Sequence, residues 1–168
     1  LAQCPRQGRF WQARSEEELM RDWVPHVTVA TVIEDSGRYL MVEERDKVSG
    51  ELVFNQPAGP LEAAESLPAA ALRETLEETG WEITLVGVLG LALYTAPANQ
   101  ITYCRTTFLG KPLRQVASAV LDTDIHATHW LDYEAILASS AKMRSPLVLA
   151  SIEQHRRGVC YPLDLIYC

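Results

Sequence analysis

The segment GPLEAAESLPAAALRETLEETGW, residues 59–81, gathers carboxylates around one guanidinium: Glu74, Glu77 and Glu78 follow Arg73, and Glu65 precedes it. Glutamates three and four residues apart stand side by side on a helix, and each like-charged pair costs roughly 0.2–0.5 kcal/mol. Oxygen donors in this pattern suit a hard divalent cation, since Mg²⁺ and Mn²⁺ take carboxylates and complete their shells with waters and phosphate oxygens. For an unremarkable acidic run a solvated helix face is the commoner outcome. The spacing of the neighbouring residues weighs against that outcome.

Ser66 suits an N-cap, Pro68 is tolerated in the first turn, and Gly80 suits the left-handed residue that ends a helix. At about 100° per residue, with Glu74 at zero, Glu77 and Glu78 flank it, while Ala69, Leu72, Leu76 and Thr79 fall on the far side. The wheel therefore predicts a buried leucine face opposite a three-carboxylate face, with Arg73 beside the acids. Gly59, Glu65, Arg73, Glu74, Glu77, Glu78 and Gly80 also satisfy the pattern Gly-x5-Glu-x7-Arg-Glu-x-x-Glu-Glu-x-Gly. Seven fixed positions match by chance about once in 10⁸ windows at ordinary residue frequencies.

Other elements must position this helix. HVTVATVIED (26–35) reads as a buried strand, and RYLMVEE (38–44) follows after the turn at Asp35–Gly37. Asp46–Gly50 reads as a loop, and ELVFNQPAG carries a third short strand ending at Pro57. After the acidic helix, EITLVGVLGLALYT and QITYCRTTFLG form two strands around TAPAN, and THWLD forms a short one. YEAILAS and SPLVLASIEQHRRG read as helices, the second with Ser145 as N-cap, Pro146 in its first turn and Gly158 at its end. Strands on both sides of a central helix, with more helix at the end, predict an α/β fold.

The chain has 168 residues, 48% of them hydrophobic, which suits one domain with a sizeable core. Residues 1–24 read as an N-terminal extension, with a capping-box helix from Ser15, and residues 25–168 as the domain. A net charge of −7 with no basic cluster beyond Arg156-Arg157 predicts no nucleic-acid and no membrane partner. No segment reads as a membrane span or a signal peptide. Cys4, Cys104, Cys160 and Cys168 show no CxxC or zinc spacing. A cytoplasmic protein with reduced thiols is expected.

The seven-position pattern resembles the Nudix box, with Thr75 standing at an aliphatic position. PHVTVATV, LMVEE, FNQPAGPLEA, MRSPLVLASI and YPLDLI extend the resemblance, from about Pro25 onward, to Nudix hydrolases of the bacterial phosphatase NudJ group. Pro60 departs from it, where a histidine is expected after QPAG. The resemblance implies an α/β/α sandwich around a mixed β-sheet, and Mg²⁺ or Mn²⁺ held by Glu74, Glu77 and Glu78 near the Gly59 carbonyl. It implies hydrolysis of a diphosphate link, with Glu77 or Glu74 orienting the attacking water and Arg73 and Glu65 orienting the carboxylates. The implied substrates are small phosphorylated compounds: nucleoside di- and triphosphates and the pyrimidine diphosphate precursor of thiamine. The alternatives are an ADP-ribose or sugar-nucleotide pyrophosphatase and a non-catalytic nucleotide sensor. The protein is expected to be a monomer or a homodimer.

Further residues carry expectations of their own. Arg105, mid-strand, reaches a phosphate or pairs with a carboxylate. Gln56 and Asn55 offer amides to substrate from the loop before the helix. Asp122 and Asp124 are either a general base and substrate contact or ordinary turn acids. Tyr94 and Trp130 are read first as core aromatics, with stacking on a base as the other role, and the four histidines show no metal spacing.

Overall fold

The computed structural model describes residues 23–167. The first strand, β1 (His26–Asp35), is buried on both faces from Val29 to Ile33, as befits a strand enclosed within a sheet. It turns into β2 (Arg38–Arg45) through Ser36 and Gly37, whose φ values of 51° and 81° give the two-residue turn that matches strand twist. The single strand expected to end at Pro57 is two: β3 (Leu52–Asn55) pairs with β2, and β4 (Ala58–Pro60) pairs with β1. The break falls at Gln56-Pro57, because proline has no N–H to continue a ladder. The Pro57 carbonyl instead accepts the Thr31 N–H at 2.9 Å.

The acidic helix, α1 (Leu67–Thr79), leads directly into β5 (Trp81–Thr95), which lies antiparallel to β6 (Thr102–Gln115). Strand β7 (Ile125–Asp132) pairs with β2 and is followed by α2 (Tyr133–Ala138) and α3 (Pro146–Arg156). The sheet runs β3-β2-β1-β6-β5, with β4 on β1 and β7 on β2, and β1 and β6 are parallel from His26↔Tyr103 to Ile33↔Gly110. This is the expected mixed sheet. One face packs Val29, Val88 and Phe108 against Ala70 and Ala71 of α1. The other packs Val32, Leu89 and Leu109 against Val148 and Ile152 of α3. Trp130 meets Trp81 edge-on at 5.7 Å beside Ile33, Leu40 and Ile83, so its role is packing.

Strand β2 stays with β1 for only two residue pairs before it leaves to join β3 and β7. That divergence frees Thr28–Ala30 of β1 to pair with β4, and it opens the sheet. Residues from both sides of the opening, Thr28 and Ala58–Pro60 on one and Glu44 and Asn55 on the other, line one large cleft. The helix expected from Ser15 lies outside the described residues. Ser145 precedes α3 in extended conformation but its side chain caps nothing, while Gly158 takes the positive φ expected beyond the helix end.

Candidate active site

Helix α1 begins and ends as its residues demand. Ser66 Oγ accepts the Ala69 N–H at 3.3 Å, and Gly80, at φ 70°, donates its N–H to the Leu76 carbonyl. Its orientation corrects the helical wheel. Leu72 and Leu76, expected in the core, are 41% and 37% exposed and Ala69 is exposed, whereas Glu74 and Glu78 are 5% and 7% exposed. The small residues Ala70, Ala71 and Thr75 let the helix lie close to the sheet, and the two acids continue that inward face into the cleft. The fully buried Thr75 satisfies its hydroxyl on the Ala71 carbonyl at 2.8 Å, so the departure from an aliphatic residue leaves no unpaired polar group.

The acids are held one by one. Ala58 of β4 donates its N–H to Glu78 Oε2 at 2.9 Å. Glu74 rests against Gly59, where even a methyl side chain would collide with its carboxyl group. Arg73 grips Glu65 with Nε and Nη2 at 2.8 and 2.9 Å, Glu74 and Glu77 with Nη1 at 2.7 and 3.0 Å, and the Pro60 carbonyl with Nη2 at 3.1 Å. The strand-to-helix loop and the first two acids are thereby tied to one guanidinium.

Burial dominates the electrostatics. It raises the Glu74 carboxyl above the usual range even though Arg73 opposes it, and it pushes Glu78 up to about 9 against the pull of the Ala58 N–H. Glu65, by contrast, is lowered chiefly by its bond to Arg73. Two carboxylates that resist ionisation side by side, in an all-oxygen donor set with the Gly59 backbone adjacent, fit a divalent cation. The set is not yet closed on one point: among the described residues no three acidic, histidine or cysteine side chains are already gathered for an ion, and Arg73 holds Glu74 and Glu77. Glu77, whose side chain is 44% exposed, has the freedom to turn inward.

The remaining candidates separate. Arg105 is 7% exposed, lines the cleft, and is lowered by burial to about 10, so it stays cationic at neutral pH. Its Nη2 donates to Asn55 Oδ1 at 3.3 Å and Gln56 Oε1 at 3.1 Å, and its buried Nε has no partner. Of its two expected roles, the pairing with a carboxylate is not formed in the structure. Gln56 corrects another expectation. It is 1% exposed, lies off the cleft, and donates to the Val148 carbonyl at 2.6 Å, so it positions Arg105 and is shut off from a substrate. Asp122 and Asp124 both line the cleft, but Asp124 is engaged at the rim by Lys47 at 2.7 Å.

A family model described as the NUDIX domain matches residues 23–151. The chain belongs to the Nudix hydrolase family, whose members act on pyrophosphate bonds. Phosphatase NudJ of Escherichia coli strain K12 is 39% identical over 142 residues, which cover 84% of this chain and 90% of that protein. The solved NUDIX hydrolase from Nitrosomonas europaea superposes with a TM-score of 0.84 at 40% identity, over 86% of this chain and 97% of its own. The NUDIX domain of Shewanella oneidensis NrtR, solved with ADP ribose, shares the fold alone: TM-score 0.66 at 16% identity, over 86% and 99% of the two chains.

In this Nudix hydrolase three cleft residues escape a reading of the box. Glu44 accepts from Asn55 Nδ2 at 2.9 Å, and Arg144 lies 3.6 Å from Glu44 and 3.5 Å from Asp46. The available signal was a pair of acids, Glu43-Glu44, closing the apolar run LMV of β2. Tyr94, read first as a core aromatic, lines the cleft, as does His26.

Proposed function

We propose that this Nudix hydrolase requires Mg²⁺ or Mn²⁺ and cleaves the diphosphate linkages of nucleoside di- and triphosphates and of the pyrimidine diphosphate precursor of thiamine, as a NudJ-like phosphatase. The observation that carries the reading is the pair Glu74 and Glu78, buried together at the end of a ≈ 680 Å³ cleft with Glu78 raised to about 9. Such a pair calls for a cation beyond the Arg73 guanidinium that grips Glu74.

Glu74, Glu77 and Glu78, with the Gly59 carbonyl, would hold the ion. When bound, it neutralises phosphate charge and makes a water acidic enough to be a nucleophile near neutral pH. Glu77 or Glu74 orients the attacking water, and Arg73 keeps both carboxylates in position as a bridge to Glu65. Arg105 supplies a deeply buried cation facing the cleft, and Asp124 stands at its rim opposite Lys47. We read the protein as cytoplasmic and as a monomer or homodimer. No helix among the described residues is long and apolar enough to cross a membrane.

The test is a screen of diphosphate compounds, with and without Mg²⁺, with every product identified. Release of inorganic phosphate from several nucleoside di- and triphosphates, abolished by EDTA, is expected. Full turnover in thoroughly chelated buffer removes the metal. Preferred cleavage of ADP-ribose to AMP and ribose phosphate replaces the phosphatase with a pyrophosphatase.

A further inference from the structure

The strand registers bring three ring-bearing side chains into one row. The parallel pairing sets His26 of β1 beside Tyr103 of β6, and the antiparallel pairing sets Tyr103 beside Tyr94 of β5. All three line the cleft that holds the acids. None belongs to a core cluster: Tyr94 and Tyr103 are half-buried and His26 is exposed. His26 and Tyr103 meet edge-on with centroids 5.8 Å apart, and Asn99, from the loop between β5 and β6, donates to the Tyr103 hydroxyl at 3.2 Å. The tyrosine ring is thus held in place at the cleft wall without being covered by the core.

The next row inward on the same side of the sheet is Thr28, Arg105 and Ala92. Its two outer residues are small, and its centre is the buried guanidinium whose Nε has no partner. A row of partly open rings beside an unused buried donor matches a heteroaromatic ring. The ring's face takes the aromatic side chain, and a carbonyl or ring nitrogen on its edge takes the hydrogen bond.

We propose that Tyr103, flanked by His26 and Tyr94, is the platform on which the organic ring of the substrate stacks, and that Arg105 donates to an acceptor on that ring's edge. The substrate class is a diphosphate ester of a planar nitrogen heterocycle, as opposed to an aliphatic or ring-free diphosphate. The assignment deepens the proposed function and rests on it, because it places the ring at one end of the cleft and the diphosphate at the other.

The full chain and its Tyr103→Leu and Tyr103→Phe variants are compared in two ways. Calorimetry measures binding of uridine monophosphate and of ribose 5-phosphate, which share the phosphate and differ in the ring. Kinetics measures kcat/KM for UDP and for methyl diphosphate. Wild type is expected to bind the nucleotide about tenfold or more tightly than the sugar phosphate, within the range that stacking of one base supplies. Tyr103→Leu erases that preference and lowers kcat/KM for UDP about tenfold, leaving methyl diphosphate within about twofold, whereas Tyr103→Phe keeps the wild-type pattern. Equal binding of the two phosphates by wild type overturns the platform, as does an equal loss for both diphosphates in Tyr103→Leu. Should wild type hydrolyse no diphosphate at all, the proposed function falls, and the binding comparison alone decides the platform. The Phe variant guards against misfolding, since it retains both ring and strand.

Discussion

At one end of the cleft Glu74 and Glu78 are almost wholly withdrawn from water, while at the other His26 is exposed and Tyr94 and Tyr103 are only half-buried. The acidic end is constrained from several directions: by a capped helix, by the Ala58 N–H, by the bare α-carbon of Gly59, and by Arg73. The aromatic end depends chiefly on strand register, with the edge-on contact of His26 and a hydrogen bond from Asn99 beside it. Buried groups with several partners tolerate little change, because a lost partner leaves an unsatisfied charge. A partly exposed ring tolerates more. The contrast implies tight control of the diphosphate and loose control of what is attached to it.

The severest way to break the contrast is Glu77→Gln, which removes one donor from the acidic end. A fall in kcat of at least ~10²-fold is expected. Binding of uridine monophosphate without metal should stay within about twofold. Unchanged turnover by the folded variant would remove Glu77 from the catalytic machinery. Gly59→Ala comes next. Its methyl displaces the Glu74 carboxyl, and a displacement of this kind costs on the order of 10–10²-fold in kcat. Steady-state kinetics across a Mg²⁺ titration checks this: the variant should need more metal and never reach the wild-type rate.

A smaller effect concerns pH. The folded-state value of Glu78, about 9, lies above its ordinary 4.5, so the folded state holds a proton that the unfolded chain releases. The stability this group contributes is complete below about 4.5 and is lost as pH rises through 9, by at most ~1.4 kcal/mol per pH unit. Metal-free protein should therefore melt at a lower temperature at pH 8.5 than at pH 6, and Mg²⁺ should raise Tm more at the higher pH, where it displaces fewer protons. Differential scanning fluorimetry in both buffers measures it, and a metal-induced shift that grows toward pH 6 contradicts it. Least of all should the outward side of α1 matter. Leu72→Ser and Leu76→Ser should each change stability by less than about 0.5 kcal/mol, against the 2–5 kcal/mol expected of a core leucine truncated to alanine. Urea unfolding separates the two.

That last pair shows where a sequence stops being legible. Strand positions, the helix ends at Ser66 and Gly80, and the box itself were readable, because periodicity, caps and glycines act locally. The inward side of α1 was not. A wheel ranks residues by hydrophobicity, and here the helix meets the sheet through Ala70 and Ala71 and turns its carboxylates inward, where they lose water but face the cleft. Gln56 was misjudged for a related reason. Asn55, Gln56 and Pro57 read by composition as a polar loop, yet β3 runs to Asn55 and the break after it turns the Gln56 side chain toward Val148. The aromatic row was invisible because it joins residues 26, 94 and 103, and only the strand pairing makes them neighbours.

The parallel union of β1 with β6 also has a history in time. Residues 26–33 find their partners at 103–110, so one central ladder of the sheet cannot close until most of the chain is available. Contacts this distant in sequence must first overcome the entropy of closing a long loop, which slows folding. During synthesis β1, β4 and α1 emerge before β6 does, and one flank of an apolar β1 waits without its permanent neighbour. An unpaired strand edge of that composition is a place where nascent chains join one another. The same ladder that brings Tyr103 to His26 in the finished enzyme is the step at which a newborn chain is most exposed to aggregation.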